Sequence, residues 1–459
     1  MKVGENMKAT FIGGGSLRLL PILRGLFKAS PQTLEGAELR FFDLHADRAQ
    51  AVIALLQHSP EFKAVKNCRL VCPETLEEAL TGIDLCYITM GIRRAPINAL
   101  AWYASEDGGV ISSDQLSLTG AFWGVLLGRI VYNIAGKLSK LSPNALMLIF
   151  ANPVAVYSSM VERFLGVRSL GICGGYPNHR YDLTRFFGRN GFEEDCHVVA
   201  AGVNHLSFIL RGTYKGEDLY RTALPQKMKE GWKNIFEPGS IMYDFMELMH
   251  QTYLKHKYLI FSGEIDGLFH LAPEKFLAQY GKVMPERATY DPVADTQKEK
   301  RNVEKSFSHL LECAKKAADL DWKNMDHPLF AVNDRDIFIP IARAFANEQA
   351  MRITASGLNK GVLAGLPDHA AVEYTLEMAG NKITPVEDQY IPEPFTDLVS
   401  SLSEFQTLLG EAIAKNDCRI FAQALEAYPF YNKDTVLKHL DIFKDLLDNN
   451  MQKTANYLK

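Results

Sequence analysis

Apolar residues fall along this chain in short β-rich runs, each stopping at a glycine or a polar residue, with helical spacing in between. The run KATFI (8–12) enters Gly13-Gly14-Gly15-Ser16, and LRLLPILRGLFKA follows with apolar positions at helical intervals. The next run, Leu39 to Phe42, stops at Asp43. Two runs of fully buried type, DLCYITM (84–90) and ALMLIF (145–150), stop at Gly91-Ile92-Arg93-Arg94 and at Asn152-Pro153. The acidic stretch LEEAL reads as the helix that leads into the first of these. RSLGI (168–172) ends at Cys173-Gly174-Gly175, and HVVAAGV (197–203) leads into Asn204-His205. Strands alternating with helices predict an α/β fold whose N-terminal half is a Rossmann-type doubly wound sheet. Amphipathic stretches at Ile241 to His256 and Arg301 to Leu320, and helical spacing from Leu398 to Leu447, predict a C-terminal mixed α+β substrate lobe. We expect an NAD-binding domain over 7–200 and a substrate, metal and oligomerisation domain over 201–459.

Composition narrows the class. The 459 residues carry 50 Lys+Arg against 54 Asp+Glu, a net charge of −4, and 47% are apolar. That apolar content supports a large core, and the balance of charge argues against nucleic acid and against an anionic membrane surface as partners. Seven cysteines without a CxxC pair read as reduced thiols, which points to a cytoplasmic location. The apolar run from Ala9 to Ile12 is too short for a signal sequence or a membrane span.

The strand tips carry the chemistry. A glycine turn at Gly13, Gly14, Gly15 and Ser16 lets backbone N–H groups at a helix start approach a pyrophosphate, and Asp43 stands where a ribose hydroxyl pair would be held. Arg18 replaces the third glycine of the dinucleotide fingerprint, and Gly15 to Asp43 spans 28 residues against the usual ~20. An ordinary glycine turn between strand and helix is the alternative. Arg93 and Arg94 suit an anionic sugar substituent or the cofactor phosphates; solvated loop arginines are the plainer reading. Cys173 and His205 each follow a strand, so they could share a divalent ion with substrate oxygens. Taken singly, a buried Cys is a small hydrophobe, and a His satisfies local hydrogen bonds more often than it ligates.

The ordered set Gly13-Gly14-Gly15-Ser16, Asp43, Gly91-Ile92-Arg93, Asn152-Pro153, Cys173 and Gly202-Val203-Asn204-His205 resembles glycoside hydrolase family 4, the NAD- and manganese-dependent glycosidases. Asn359-Lys360-Gly361 through Glu373 and the stretch 411–434 extend the likeness over about residues 8 to 445. The resemblance implies NAD and Mn²⁺ as cofactors, Cys173 and His205 as metal ligands, and Asn152 and Asn204 touching substrate near the metal and the nicotinamide. Arg93 joins them as a substrate residue, and Asp114 stands where members usually have a Glu near the sugar. It further implies a sugar glycoside as substrate and a homodimer or homotetramer. Members carry Asp, Asn or His after the metal Cys, and the Asp type uses that side chain as the acid. Here Gly174 offers none. For the base, the stretch 257–266 supplies Glu264 first, with Tyr258 and Asp266 behind it.

The implied reaction oxidises sugar carbon 3 with NAD⁺, which acidifies carbon 2. A base removes the carbon 2 proton, the group at carbon 1 is eliminated, water adds, and the hydride returns. Two other readings remain open. A 2-hydroxy-acid or sugar dehydrogenase of the malate/lactate type shares the lobe but gives no place to Cys173. A non-catalytic NAD-binding sensor would accommodate Gly174.

Overall fold

The computed structural model describes residues 7–91, 104–105, 107–188, 195–276, 292–347 and 349–443. Six strands, β1 (Lys8–Ile12), β2 (Glu38–Phe42), β3 (Arg69–Val71), β4 (Leu85–Ile88), β5 (Leu146–Ile149) and β6 (Ser169–Gly171), pair in parallel in the order β3-β2-β1-β4-β5-β6. β4 and β5 are buried at all four positions, as expected of parallel strands covered by helices on both faces. The covering helices are α1 (Leu19–Ala29), α2 (Ala46–His58), α3 (Leu118–Leu141) and α4 (Val154–Leu165). The C-terminal half adds seven antiparallel strands: β7 (Cys196–Val203), β8 (Leu206–Tyr214), β9 (Glu217–Asp218), β10 (Leu259–Gly263), β11 (Met351–Leu358), β12 (Ala371–Ala379) and β13 (Lys382–Pro385).

These join the parallel half edge to edge, because β11 pairs with β6 through Ser356 and Gly171. One 13-stranded sheet therefore runs through both halves, and residue 200, where a domain division was expected, lies inside β7. Further helices lie along the sheet: α5 (Tyr176–Phe186), α6 (Ile265–Leu271), α7 (Pro292–Lys315), α8 (Phe338–Phe345), α9 (Thr396–Lys415), α10 (Cys418–Ala427) and α11 (Lys433–Phe443). The helix expected over 301–320 is α7, which ends at Lys315 and gives way to a 3-10 turn at Ala317–Asp319. α3 is long and apolar enough to cross a membrane. Here its apolar residues, from Leu118 through Phe122 and Val131 to Leu138, face the core, and Phe122 stacks on Phe443 with ring centroids 5.1 Å apart.

The parallel sheet is pinned at its first turn. Phe11 is fully buried between Phe41, Tyr87 and Phe338, with ring centroids 5.2, 5.9 and 5.6 Å away. This aromatic cluster draws β2 and β4 against the glycine loop. Gly13 sits at φ +85°, a region open to glycine, and its amide and that of Gly14 both donate to Phe42 O at 2.9 and 2.8 Å. A Cβ on Gly14 would lie 2.7 Å from the Phe41 backbone, and strand backbone cannot yield as a flexible side chain can. Gly14→Ala should therefore overpack the turn and cost about 1–3 kcal/mol, read as a lower denaturation midpoint at unchanged m-value.

Candidate active site

The glycine loop and the tip of β2 lie against each other. Asp43 accepts from Gly15 N–H at 2.9 Å and from His45 N–H at 2.9 Å, which fixes its carboxylate beside the loop. Leu44, the next residue, is 92% exposed. An apolar side chain left bare beside a ribose-type acid is what an adenine ring would cover, so these residues fit a dinucleotide. Arg18 ends the loop with its guanidinium 3.5 Å above the Phe150 ring and 2.5 Å from the buried Asp336 carboxylate. Ser16 keeps a turn hydrogen bond to Gly13 O at 2.9 Å.

A second cluster forms where the two halves of the sheet meet. Cys173 follows β6, and the Gly175 N–H donates to its Sγ at 3.3 Å. His205 lies on the two-residue turn between β7 and β8 at φ +70°, a conformation such turns normally fill with glycine. A non-glycine residue held there is local strain of the kind found at functional sites. α6 supports the turn from below. Gly267 packs so closely on His205 that a Cβ there would meet the His205 carbonyl oxygen.

Glu264, immediately after β10, bridges the two. Its Oε1 lies 3.8 Å from Cys173 Sγ and 3.4 Å from His205 Nε2. Behind His205, both oxygens of the buried Asp266 reach Nδ1, at 2.9 and 3.1 Å. Ser113 Oγ donates to Asp266 in turn, and Ser113 adjoins Asp114. Asp114 Oδ2 accepts from Asn152 Nδ2 at 2.5 Å, and Asn152 Oδ1 accepts from Gln115 Nε2 at 2.7 Å. Contacts thus run from Cys173 in one half through Glu264, His205 and Asp266 to Ser113, which adjoins Asp114 and its partner Asn152.

Charge is distributed unevenly in this chain. Burial would push the His205 imidazole down, but Asp266 overcomes this and raises it well above its ordinary value. Burial would likewise raise Asp266, but His205 and Ser113 hold it down at about 2. Glu264 is raised by burial against the pull of His205, with Asp266 and Asp114 adding to the rise. Burial pushes neighbouring His179 down to about 3, leaving it neutral. A thiol, an imidazole nitrogen turned outward by the carboxylate behind it, and a carboxylate oxygen between them are a donor set suited to a borderline divalent cation.

The residues expected from sequence divide in three. Cys173, His205, Glu264 and Asp266 come together, with Asp114 and Asn152 beside them. Asn204 lies behind them, fully buried; its Nδ2 donates to Glu373 Oε2 at 2.8 Å while its Oδ1 has no partner among the described residues. Tyr258 is not among them. Its hydroxyl meets Tyr390 at 3.2 Å, and that hydrogen bond pushes its pKa up to about 12. Arg93 lies outside the described residues, as does Arg94. Sequence reading missed Ser113 and Gln115, whose roles exist only through partners 153 and 37 positions away. It also missed Leu44, which an apolar residue directly after the strand-tip acid could have signalled.

A parallel nucleotide-type sheet continued by antiparallel strands, with the reactive cluster at their junction, defines an enzyme of the dehydrogenase-like α/β class. The sequence model of the family 4 glycosyl hydrolases matches residues 8–185, and that of the family 4 glycosyl hydrolase C-terminal domain matches 200–430. The chain belongs to family 4 of the glycosyl hydrolases. It is 22% identical to an alpha-galacturonidase of Thermoanaerobacter italicus, covering 99% of this chain and 98% of that protein. The structure of a 6-phospho-beta glucosidase from Thermotoga maritima with manganese, NAD⁺ and glucose-6-phosphate aligns at TM-score 0.71 and 18% identity, covering 96% of this chain and 99% of that one. A lactate dehydrogenase from a deep-sea metagenome library shares the fold at TM-score 0.51 and 12% identity, over 89% of this chain and 99% of that one.

The buried pair of Asp266 and His205 has a pH signature. A depressed Asp stabilises above its unfolded value near 4 and loses that stabilisation as pH falls toward about 2. A raised His stabilises fully below its unfolded value near 6.5 and loses that stabilisation as pH rises through its folded value. Asp266→Ala should therefore cost about 3–5 kcal/mol between roughly pH 4 and 6.5, and less at about pH 2. Denaturant titrations of metal-free enzyme across pH measure this.

Proposed function

We propose that this chain is a glycosidase that uses NAD⁺ and a divalent metal, manganese or a close equivalent. The observation that carries this reading is the meeting of Cys173 and His205 from opposite halves of the sheet, both against Glu264. When bound, NAD⁺ supplies a reversible acceptor for the carbon 3 hydride and the metal supplies positive charge at the carbon 3 oxygen, which together acidify carbon 2.

The chain's own residues do the rest. Gly13, Gly14, Gly15 and Ser16 carry no bulk that would keep the pyrophosphate from lying close against the backbone before α1, and Asp43 receives the ribose. Cys173 and His205 hold the metal, with Asp266 fixing the imidazole so that Nε2 faces it. Asn152, held at both ends by Asp114 and Gln115, orients the sugar and the nicotinamide. Asn204 braces the turn that carries His205.

The proton from carbon 2 goes to Asp114. Of the four acidic or phenolic groups considered, Asp266 is committed to His205, Tyr258 to Tyr390, and Glu264 lies against the thiol and imidazole. Asp114 is exposed to the crevice and positioned by Asn152. We further propose that the sugar carries an acidic group. Arg93 and Arg94 support this from sequence.

A panel of aryl glycosides, plain, 6-phosphorylated and uronic, assayed with NAD⁺ and Mn²⁺ tests the reading. Acidic glycosides should be cleaved with carbon 2 exchange in D₂O and without accumulation of NADH, and Asp114→Asn should cut both rate and exchange by about 10²–10⁴-fold. Stoichiometric release of NADH would place the protein with the dehydrogenases instead.

A further inference from the structure

We infer that Glu264 is a third protein ligand of the divalent metal, alongside Cys173 and His205, and is not the base for the sugar. The inference rests on the metal reading proposed above and concerns how this chain builds its site.

Metal-to-nitrogen and metal-to-oxygen bonds of about 2.1 Å and a metal-to-sulfur bond of about 2.3 Å set the edges of a tetrahedral or octahedral site. Oxygen and nitrogen ligands then stand about 3.0–3.4 Å apart, and oxygen and sulfur about 3.1–3.6 Å apart. Glu264 Oε1 lies 3.4 Å from His205 Nε2 and 3.8 Å from Cys173 Sγ. One carboxylate oxygen therefore sits within a few tenths of an ångström of both edges at once.

Two further observations point the same way. Glu264 is the N-cap residue of α6, with extended backbone at φ −82° and ψ 169°, yet its side chain does not cap the helix. The carboxylate forgoes the nearby N–H groups and turns toward the thiol. The space it enters exists only because of Gly175. A Cβ there would lie 2.7 Å from Glu264 Oε1 and 2.8 Å from His179 Nε2. Gly174 beside it also leaves the ground next to Cys173 free of side chain, so the chain supplies its carboxylate from the end of β10 rather than from the residue after the thiol.

His179 is the remaining donor in the neighbourhood. Its ligating atom and those of Cys173 and Glu264 all lie within 4.8 Å of one another. Its Nε2 is 3.5 Å from Ser262 Oγ, and we place it behind the ligands.

Mn²⁺ binding to the full-length enzyme without sugar, followed by electron paramagnetic resonance of the free ion, tests this independently of turnover. Glu264→Gln should weaken Mn²⁺ binding at least tenfold. Gly175→Ala, which alters no ligand, should weaken it in the same direction by displacing the carboxylate, and the double variant should lose little more than Glu264→Gln alone. With Co²⁺ as the probe, the sulfur-to-cobalt absorption band should persist in Glu264→Gln with altered ligand-field bands, and vanish in Cys173→Ser.

Wild-type Mn²⁺ affinity in Glu264→Gln together with lost turnover would overturn the proposal and make Glu264 an acid or base. Absence of Mn²⁺ binding in every form, wild type included, would remove the underlying metal reading as well.

Discussion

The pairing of Asp266 with His205 is the interaction on which the rest of the site depends. A buried carboxylate facing Nδ1 through both oxygens decides where the imidazole points, and so which nitrogen reaches the crevice. It also ties three separate pieces of chain to one point. Asp266 belongs to α6, His205 to the turn between β7 and β8, and Ser113 to the segment that leads to α3. Removing either charged partner would leave the other uncompensated in a dry environment, a far larger penalty than any exposed ion pair on this surface could incur.

From that anchor the chemistry extends in two directions. Outward lie Glu264 and Cys173, where a thiol from the parallel half meets the imidazole of the antiparallel half. Sideways, Ser113 passes the restraint to Asp114, and Asp114 to Asn152 at the tip of β5. The nucleotide end is fixed by different means. There the aromatic cluster around Phe11 and the tight packing of Gly14 set the loop, and Asp43 is held by backbone N–H groups alone. The two ends are rigid for unrelated reasons, so a defect in one need not disturb the other.

Much of this was legible in the sequence. β1 and its glycine turn, the acid after β2, and Cys173 and His205 after their strands could all be read because each sits at a strand tip, and a strand tip is marked locally by the end of an apolar run. The order of the motifs carried the family. What sequence did not carry was partnership. Tyr258 and Glu264 lie in one short stretch and both stood as candidates for the base, Glu264 first, yet Tyr258 is taken by Tyr390, 132 residues away, while Glu264 turns to the thiol. Asp266 stood as a further candidate for the base, and in the structure its carboxylate faces His205 Nδ1. Arg18 read as a defect in a glycine fingerprint, whereas it stands over Phe150 and beside Gly174. The halves were expected as two units, but hydrogen bonding between β6 and β11 joins them in one sheet. Local pattern records an element's identity; it does not record which distant side chain claims it.

The turn bearing His205 has two residues, and both flanking strands are locked in register on either side of it. Connections between strands usually tolerate extra residues, since they lie in water and lengthening them is cheap. This one is sealed beneath α6. Adding or removing a single residue would reverse which face each following side chain occupies, and would carry the imidazole away from the thiol. The length of this connection is held by the geometry it serves.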